Sequence, residues 1–133
     1  MTRYVIGPDV ALRLAHDETV IADGHRLVAP TLLRSQVLSS LYQSARGGEL
    51  TRKDAERRLD YIRGLRIRLL GDRVSQSVAW KIADKLGWAD TLDAEYLAVT
   101  TLQADAFVTL DKTLARRAKG VVPTATVDAL LAA

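Results

Sequence analysis

Apolar positions along the chain alternate between two rhythms. Tyr4-Val5-Ile6, Leu27-Val28-Ala29-Pro30 and Ala106 to Thr109 are short, mainly apolar runs, which suit strands buried on both faces, and Ile67 to Leu70 is a further short strand candidate. Gly7-Pro8 breaks the first, proline stops the second and Asp111 follows the third. Between these runs apolar residues recur at helical spacing. The pattern predicts helices over Asp9 to Ala15, Thr31 to about Ala45, Thr51 to about Gly64, Arg73 to Leu86, about Asp90 to Leu102, Thr113 to Lys119 and Thr126 to Ala132. Leu32, Leu33, Val37, Leu38, Leu41 and Tyr42 form the apolar side of the second, and Gly47-Gly48 ends it. Thr51-Arg52-Lys53-Asp54 opens the third as a capping-box-like start. Val121-Val122 is expected as a last small strand, and Trp80 and Trp88 as core and helix-joint residues. Strands separated by helices predict an α/β fold around a parallel sheet.

Composition narrows the chemistry. With 133 residues, 48% of them hydrophobic, the chain suits one domain over 1–133 with a substantial core. It has no cysteine, so disulfides and thiolate metal sites are excluded, and with only His16 and His25 any metal site must be built mostly of oxygen. Mg²⁺ or Mn²⁺ is the natural ion for such a site. The N-terminus lacks a signal-peptide apolar stretch, and no apolar run approaches the roughly 20 residues that cross a bilayer. A cytoplasmic location without membrane contact is expected. The net charge of +3, with arginines gathered at 52–73 and 116–117, is compatible with a nucleic-acid partner. Each of these arginines taken singly reads as part of a solvated face.

Carboxylates mark the two most informative places. Asp90 stands where a helix begins and can cap it, and Asp93, three residues on, meets the positive end of the helix dipole. Asp111 follows the apolar run Ala106 to Leu110, and ligands of open α/β sheets bind beyond the carboxyl ends of such strands. A cap and a turn explain either acid alone; the pair is more specific.

These residues bring the chain to a recognisable pattern. Val28-Ala29-Pro30-Thr31-Leu32-Leu33-Arg34-Ser35-Gln36-Val37, Asp93-Ala94-Glu95-Tyr96-Leu97-Ala98 and Val108-Thr109-Leu110-Asp111-Lys112-Thr113-Leu114-Ala115, together with Tyr4-Val5-Ile6 and Val10-Ala11-Leu12-Arg13, resemble the PIN domain family. The likeness is greatest to the VapC-type toxins of toxin–antitoxin pairs and runs over essentially the whole length. It implies a three-layer α/β/α domain with a short parallel sheet of about five strands. It also implies a Mg²⁺- or Mn²⁺-dependent endoribonuclease, paired as a homodimer and silenced by a cognate antitoxin.

The family's four acids are kept here at Asp93 and Asp111 and replaced by Gly7 and Gln36 at the other two positions. Asp9, two residues beyond Gly7, is the candidate to supply the first carboxylate if strand geometry persists that far, since residues i and i+2 of a strand face the same way. The resemblance thus implies Asp93, Asp111 and Asp9 as catalytic metal ligands, Gln36 as a neutral ligand, and Asp90 and Thr109 in the outer shell. Arg13, Arg34, Lys112, Arg116 and Arg117 are candidate contacts to RNA phosphates. Weak metal binding and low or absent activity are expected; Gln36→Glu is expected to tighten the binding, and Gly7→Asp with Gln36→Glu to raise cleavage of single-stranded RNA. The alternative is a catalytically inactive PIN-like module that binds an antitoxin or RNA.

Overall fold

The computed structural model describes residues 1–132. Its elements, in chain order, are β1 (Thr2–Ile6), α1 (Pro8–Asp17), β2 (His25–Pro30), α2 (Leu32–Arg46), α3 (Arg52–Gly64), β3 (Arg68–Leu70), α4 (Arg73–Leu86), α5 (Leu92–Gln103), β4 (Ala106–Val108), α6 (Lys112–Ala118), β5 (Thr124–Ala125) and α7 (Asp128–Leu131). The five strands form one sheet in the order β3-β2-β1-β4-β5, with every pair parallel. Helices cover the sheet to give a three-layer α/β/α sandwich. α5 lies against β1, β2 and β4 with α4 packed on its outside, and α1, α2 and α3 pack on one another.

The mainly apolar runs explain this arrangement. In β1, Val5 and Ile6 point to opposite faces, and both are fully buried because both faces are covered. Ala106, Phe107 and Val108 are likewise buried in β4. α5 contributes Ala94, Tyr96, Leu97, Ala98, Val99 and Thr100, so nearly the whole girth of its middle is enclosed. Thr100 tolerates this because its hydroxyl donates to the Tyr96 carbonyl at 2.8 Å.

Strand order fixes where a ligand belongs. The chain runs from β1 outward to β2 and β3, then returns through α4 and α5 to place β4 on the other side of β1. The β1/β4 boundary is therefore the point where winding reverses, and in open α/β sheets ligands bind beyond the strands' carboxyl ends at such a point. The register sets Ile6 opposite Val108, so the two strands stop at the same level.

Four expectations need correction. Val121-Val122 is not a strand: both amides donate to the Ala118 carbonyl, at 2.8 and 2.9 Å, in a tight turn that carries Val122 into the core. Pairing with β4 waits until Thr124, past Pro123, where the chain again runs extended, and the last helix shortens to Asp128–Leu131. Trp80 is not a core residue; it is 69% exposed on the outer side of α4. Leu38 and Tyr42 also stay exposed, leaving only Leu33, Val37 and Leu41 of α2 buried, because α2 leans on α3 along one narrow stripe.

Candidate active site

At the end of β1 the extended geometry stops one residue short of Asp9. Gly7 is the N-cap of α1, Pro8 takes the first helical position, where its missing N–H is no loss, and Asp9 lies in the first helical turn. The predicted i, i+2 strand relation to Gly7 is thus replaced by a helical one, yet the Asp9 side chain folds back toward the sheet. One carboxylate oxygen accepts the Val10 amide at 2.8 Å; the other accepts the Thr109 hydroxyl and the Leu110 amide, both at 2.9 Å. Asp9 therefore ties the start of α1 to the segment just beyond β4.

Thr109 has two partners. Its hydroxyl donates to Asp9 and accepts the Asp111 amide at 3.2 Å, so one side chain links the first and last of the candidate acids. Asp111 is the N-cap of α6, one of its oxygens accepting the amides of Thr113 and Leu114 at 2.9 and 3.0 Å. Asp90 accepts the Leu92 amide at 3.0 Å, the cap expected from the sequence, and Asp93 follows in the first turn of α5.

Asp93 is an exposed residue whose carboxyl group is nonetheless partly shielded. Its pKa is raised above the usual carboxylate value, first because the surrounding protein withholds water and then because Asp90, Asp111 and Asp9 repel a further negative charge. The three acids of α1, α5 and the β4–α6 turn thus share one electrostatic neighbourhood at the winding reversal. Crowded carboxylates with a raised pKa are a mark of a site that takes a cation or moves a proton.

Gln36 behaves differently. Its side-chain oxygen accepts the Tyr96 hydroxyl at 2.5 Å, so α2 is joined to the Asp93-bearing helix by a neutral hydrogen bond. Tyr96 was legible in the sequence only as part of a motif; in the structure it is buried, with its ring tilted against Phe107 at 6.2 Å. Burial, followed by the charges of Asp93, Glu95 and Asp9, pushes its pKa well up, so the phenol stays protonated and remains a donor.

The basic candidates separate into free and committed groups. Arg13, Arg34 and Lys112 are exposed and have no side-chain hydrogen bond or ion pair among the described residues. Arg116 reaches the Thr113 hydroxyl only at 3.5 Å. Arg117 is engaged: it donates to the Leu86 carbonyl at 3.0 Å and stacks over the Trp88 ring at 5.2 Å, fastening α6 to the α4–α5 joint.

The donor set suits a hard cation in one specific manner. Among the described residues no three His, Asp or Glu side chains stand close enough to grip one ion directly. Mg²⁺ seldom asks for such a cage; it keeps several waters and takes one or two carboxylates together with substrate phosphate oxygens. Asp93, with no side-chain hydrogen bond among the described residues, and the Asp111 oxygen that takes no part in the cap are the carboxylates that would hold such an ion.

Strand order and helix layers together define a PIN-like α/β/α fold. In solved structures the chain is similar to PAE2754 from Pyrobaculum aerophilum, with a TM-score of 0.77 and 24% identity over 98% of this chain and 93% of that one. It is also similar to VapBC2 from Rickettsia felis, solved bound to a DNA fragment from their promoter, with a TM-score of 0.65 and 10% identity over 93% of this chain and 98% of that one. At these identities the likeness is one of fold. No family model and no curated protein sequence matches the chain.

Proposed function

We propose that the chain is a Mg²⁺- or Mn²⁺-dependent endoribonuclease of the PIN type with a weakened acidic site, working in the cytoplasm under the control of a cognate antitoxin and as a homodimer. What supports this reading is the hydrogen-bonded link from Asp9 through Thr109 to Asp111 beyond the β1/β4 winding reversal, with Asp93 of α5 near enough for their charges to raise its pKa. Asp93 and Asp111 would hold the ion. When bound, the ion would lower the pKa of water and offset charge on the phosphate and the leaving oxygen.

The chain's own groups supply the rest. Asp9, fixed by Thr109 and Leu110, is positioned to accept a proton from attacking water and to orient it. The exposed side chains of Arg13, Arg34 and Lys112 supply positive charge for a phosphate backbone. Gln36 holds Tyr96 as a neutral donor and contributes no charge, which leaves the ion more weakly held than four acids would and favours Mn²⁺ over Mg²⁺.

Cleavage of single-stranded RNA with Mn²⁺ present tests the proposal. Slow cleavage by the wild type, lost in Asp93→Asn, is the expected result. Tyr96's hold on the Gln36 oxygen favours the second reading, a binding module without catalysis. RNA or antitoxin binding without cleavage at any Mn²⁺ concentration would establish that reading instead.

A further inference from the structure

Gly7 has φ −75° and ψ 167°, an extended conformation open to any residue, so its backbone does not require glycine. Space does. A Cβ built on Gly7 would lie 2.6 Å from an Asp9 carboxylate oxygen, a distance real Cβ atoms essentially never show, so the Asp9 carboxylate would have to shift from its three hydrogen bonds, while the Val108 carbonyl oxygen stands back at 3.8 Å. The carboxylate of Asp9 thus stands in the volume of a residue-7 side chain.

It also does that side chain's work. Gly7 is the N-cap of α1 and offers no side-chain cap, while Asp9 accepts the amide of Val10, the third helical residue. That amide is the usual partner of an N-cap aspartate or serine. We propose that Gly7 and Thr109 are positioning residues for Asp9: Gly7 by leaving the N-cap volume empty, Thr109 by anchoring the carboxylate that fills it. An acid has moved two positions along the chain while its place at the end of β1 is kept. Its role toward an ion rests on the function proposed above; the positional exchange does not.

Substitution at position 7 therefore acts through Asp9. Gly7→Asp in the wild type sets two carboxylates in one volume and disrupts the site, contrary to the restoration expected from sequence. Gly7→Asp combined with Asp9→Ser returns one carboxylate to that volume.

Two measurements test the exchange. The first is a thermal unfolding cycle in EDTA with Gly7→Ala, Asp9→Ala and the double variant. Gly7→Ala should lower Tm by roughly 3 °C or more in the wild type and leave it unchanged in the Asp9→Ala background, because the clash partner is gone. Equal losses in both backgrounds would overturn the proposal. The second is Mn²⁺ titration. Gly7→Ala and Thr109→Val should weaken binding about tenfold, Thr109→Ser should preserve it, and the Gly7→Asp/Asp9→Ser exchange should bind where Gly7→Asp alone does not. Normal binding by Gly7→Ala, or failure of Thr109→Ser to rescue, would show that neither residue positions Asp9 for the ion. If the wild type binds no Mn²⁺ the ribonuclease reading fails, while the unfolding cycle still decides the exchange.

Discussion

Most of the candidate residues beyond β1 and β4 carry a structural duty. Asp111 caps α6, Asp9 serves the N-terminus of α1, and Thr109 joins them, so changing any one disturbs packing and chemistry together. Asp93 is the exception, for its side chain has no hydrogen-bond partner among the described residues and is held among like charges. Its removal should therefore stabilise. The sign follows from the raised pKa. Below the ordinary value of 3.8 Asp93 is neutral folded and unfolded; as pH climbs through the window between that value and the raised folded one, the unfolded chain ionises first and stability falls. Asp93→Asn should raise Tm at pH 7 in EDTA and lose that advantage near about pH 3, where both forms are neutral. Thermal melts at the two pH values check this, and an Asn variant less stable at pH 7 would mean that Asp93 has an unrecognised favourable partner. Gln36→Glu, nearly the same shape, should retain the Tyr96 hydrogen bond and tighten Mn²⁺ by adding charge; calorimetry would show equal or weaker affinity if position 36 does not serve the ion. Tyr96→Phe should cost about 1 kcal/mol by leaving the Gln36 oxygen without its donor, measured by denaturant unfolding.

At the scale of elements, α6 is short and is held at both ends: Asp111 caps it and Arg117 pins its last turn to Leu86 and Trp88. Arg117→Ala should destabilise by about 1 kcal/mol through the lost hydrogen bond and ring contact, while leaving the salt dependence of RNA binding unchanged. A flatter salt slope in that variant would return Arg117 to the phosphate-contacting set. Most elements were legible in the sequence because period and punctuation agree: Tyr4-Val5-Ile6 is too short and apolar for anything but a buried strand, and Thr51 does cap α3 through the Asp54 amide at 3.1 Å. Val121-Val122 misled because two β-branched residues look the same whether they pair in a sheet or plug the end of a helix. Only the neighbouring β4 settles the register, by bonding Phe107 to the Pro123 carbonyl at 2.9 Å.

For the whole molecule, the parallel sheet was foreseeable from alternating strands and helices, but strand order was not fully so. It brings α1, α5 and the β4–α6 turn near one another, so that the charges of Asp9 and Asp111 act on Asp93. The surroundings of Asp9 were the least legible part, since the strand relation expected between Gly7 and Asp9 gives way to a helix that starts at Pro8. The exposed residues Trp80, Leu38 and Tyr42 show the converse difficulty: apolar character predicts burial, and nothing local tells the chain which side of a helix will lack a neighbour.

Calorimetric titration of Mn²⁺ into the wild type, Asp93→Asn and Asp9→Asn tests the convergent acidic site most directly. The account predicts one saturable binding event in the wild type, lost in Asp93→Asn and weakened about tenfold in Asp9→Asn, where the acid acts through water. No binding by the wild type, or undiminished binding by Asp93→Asn, would contradict it.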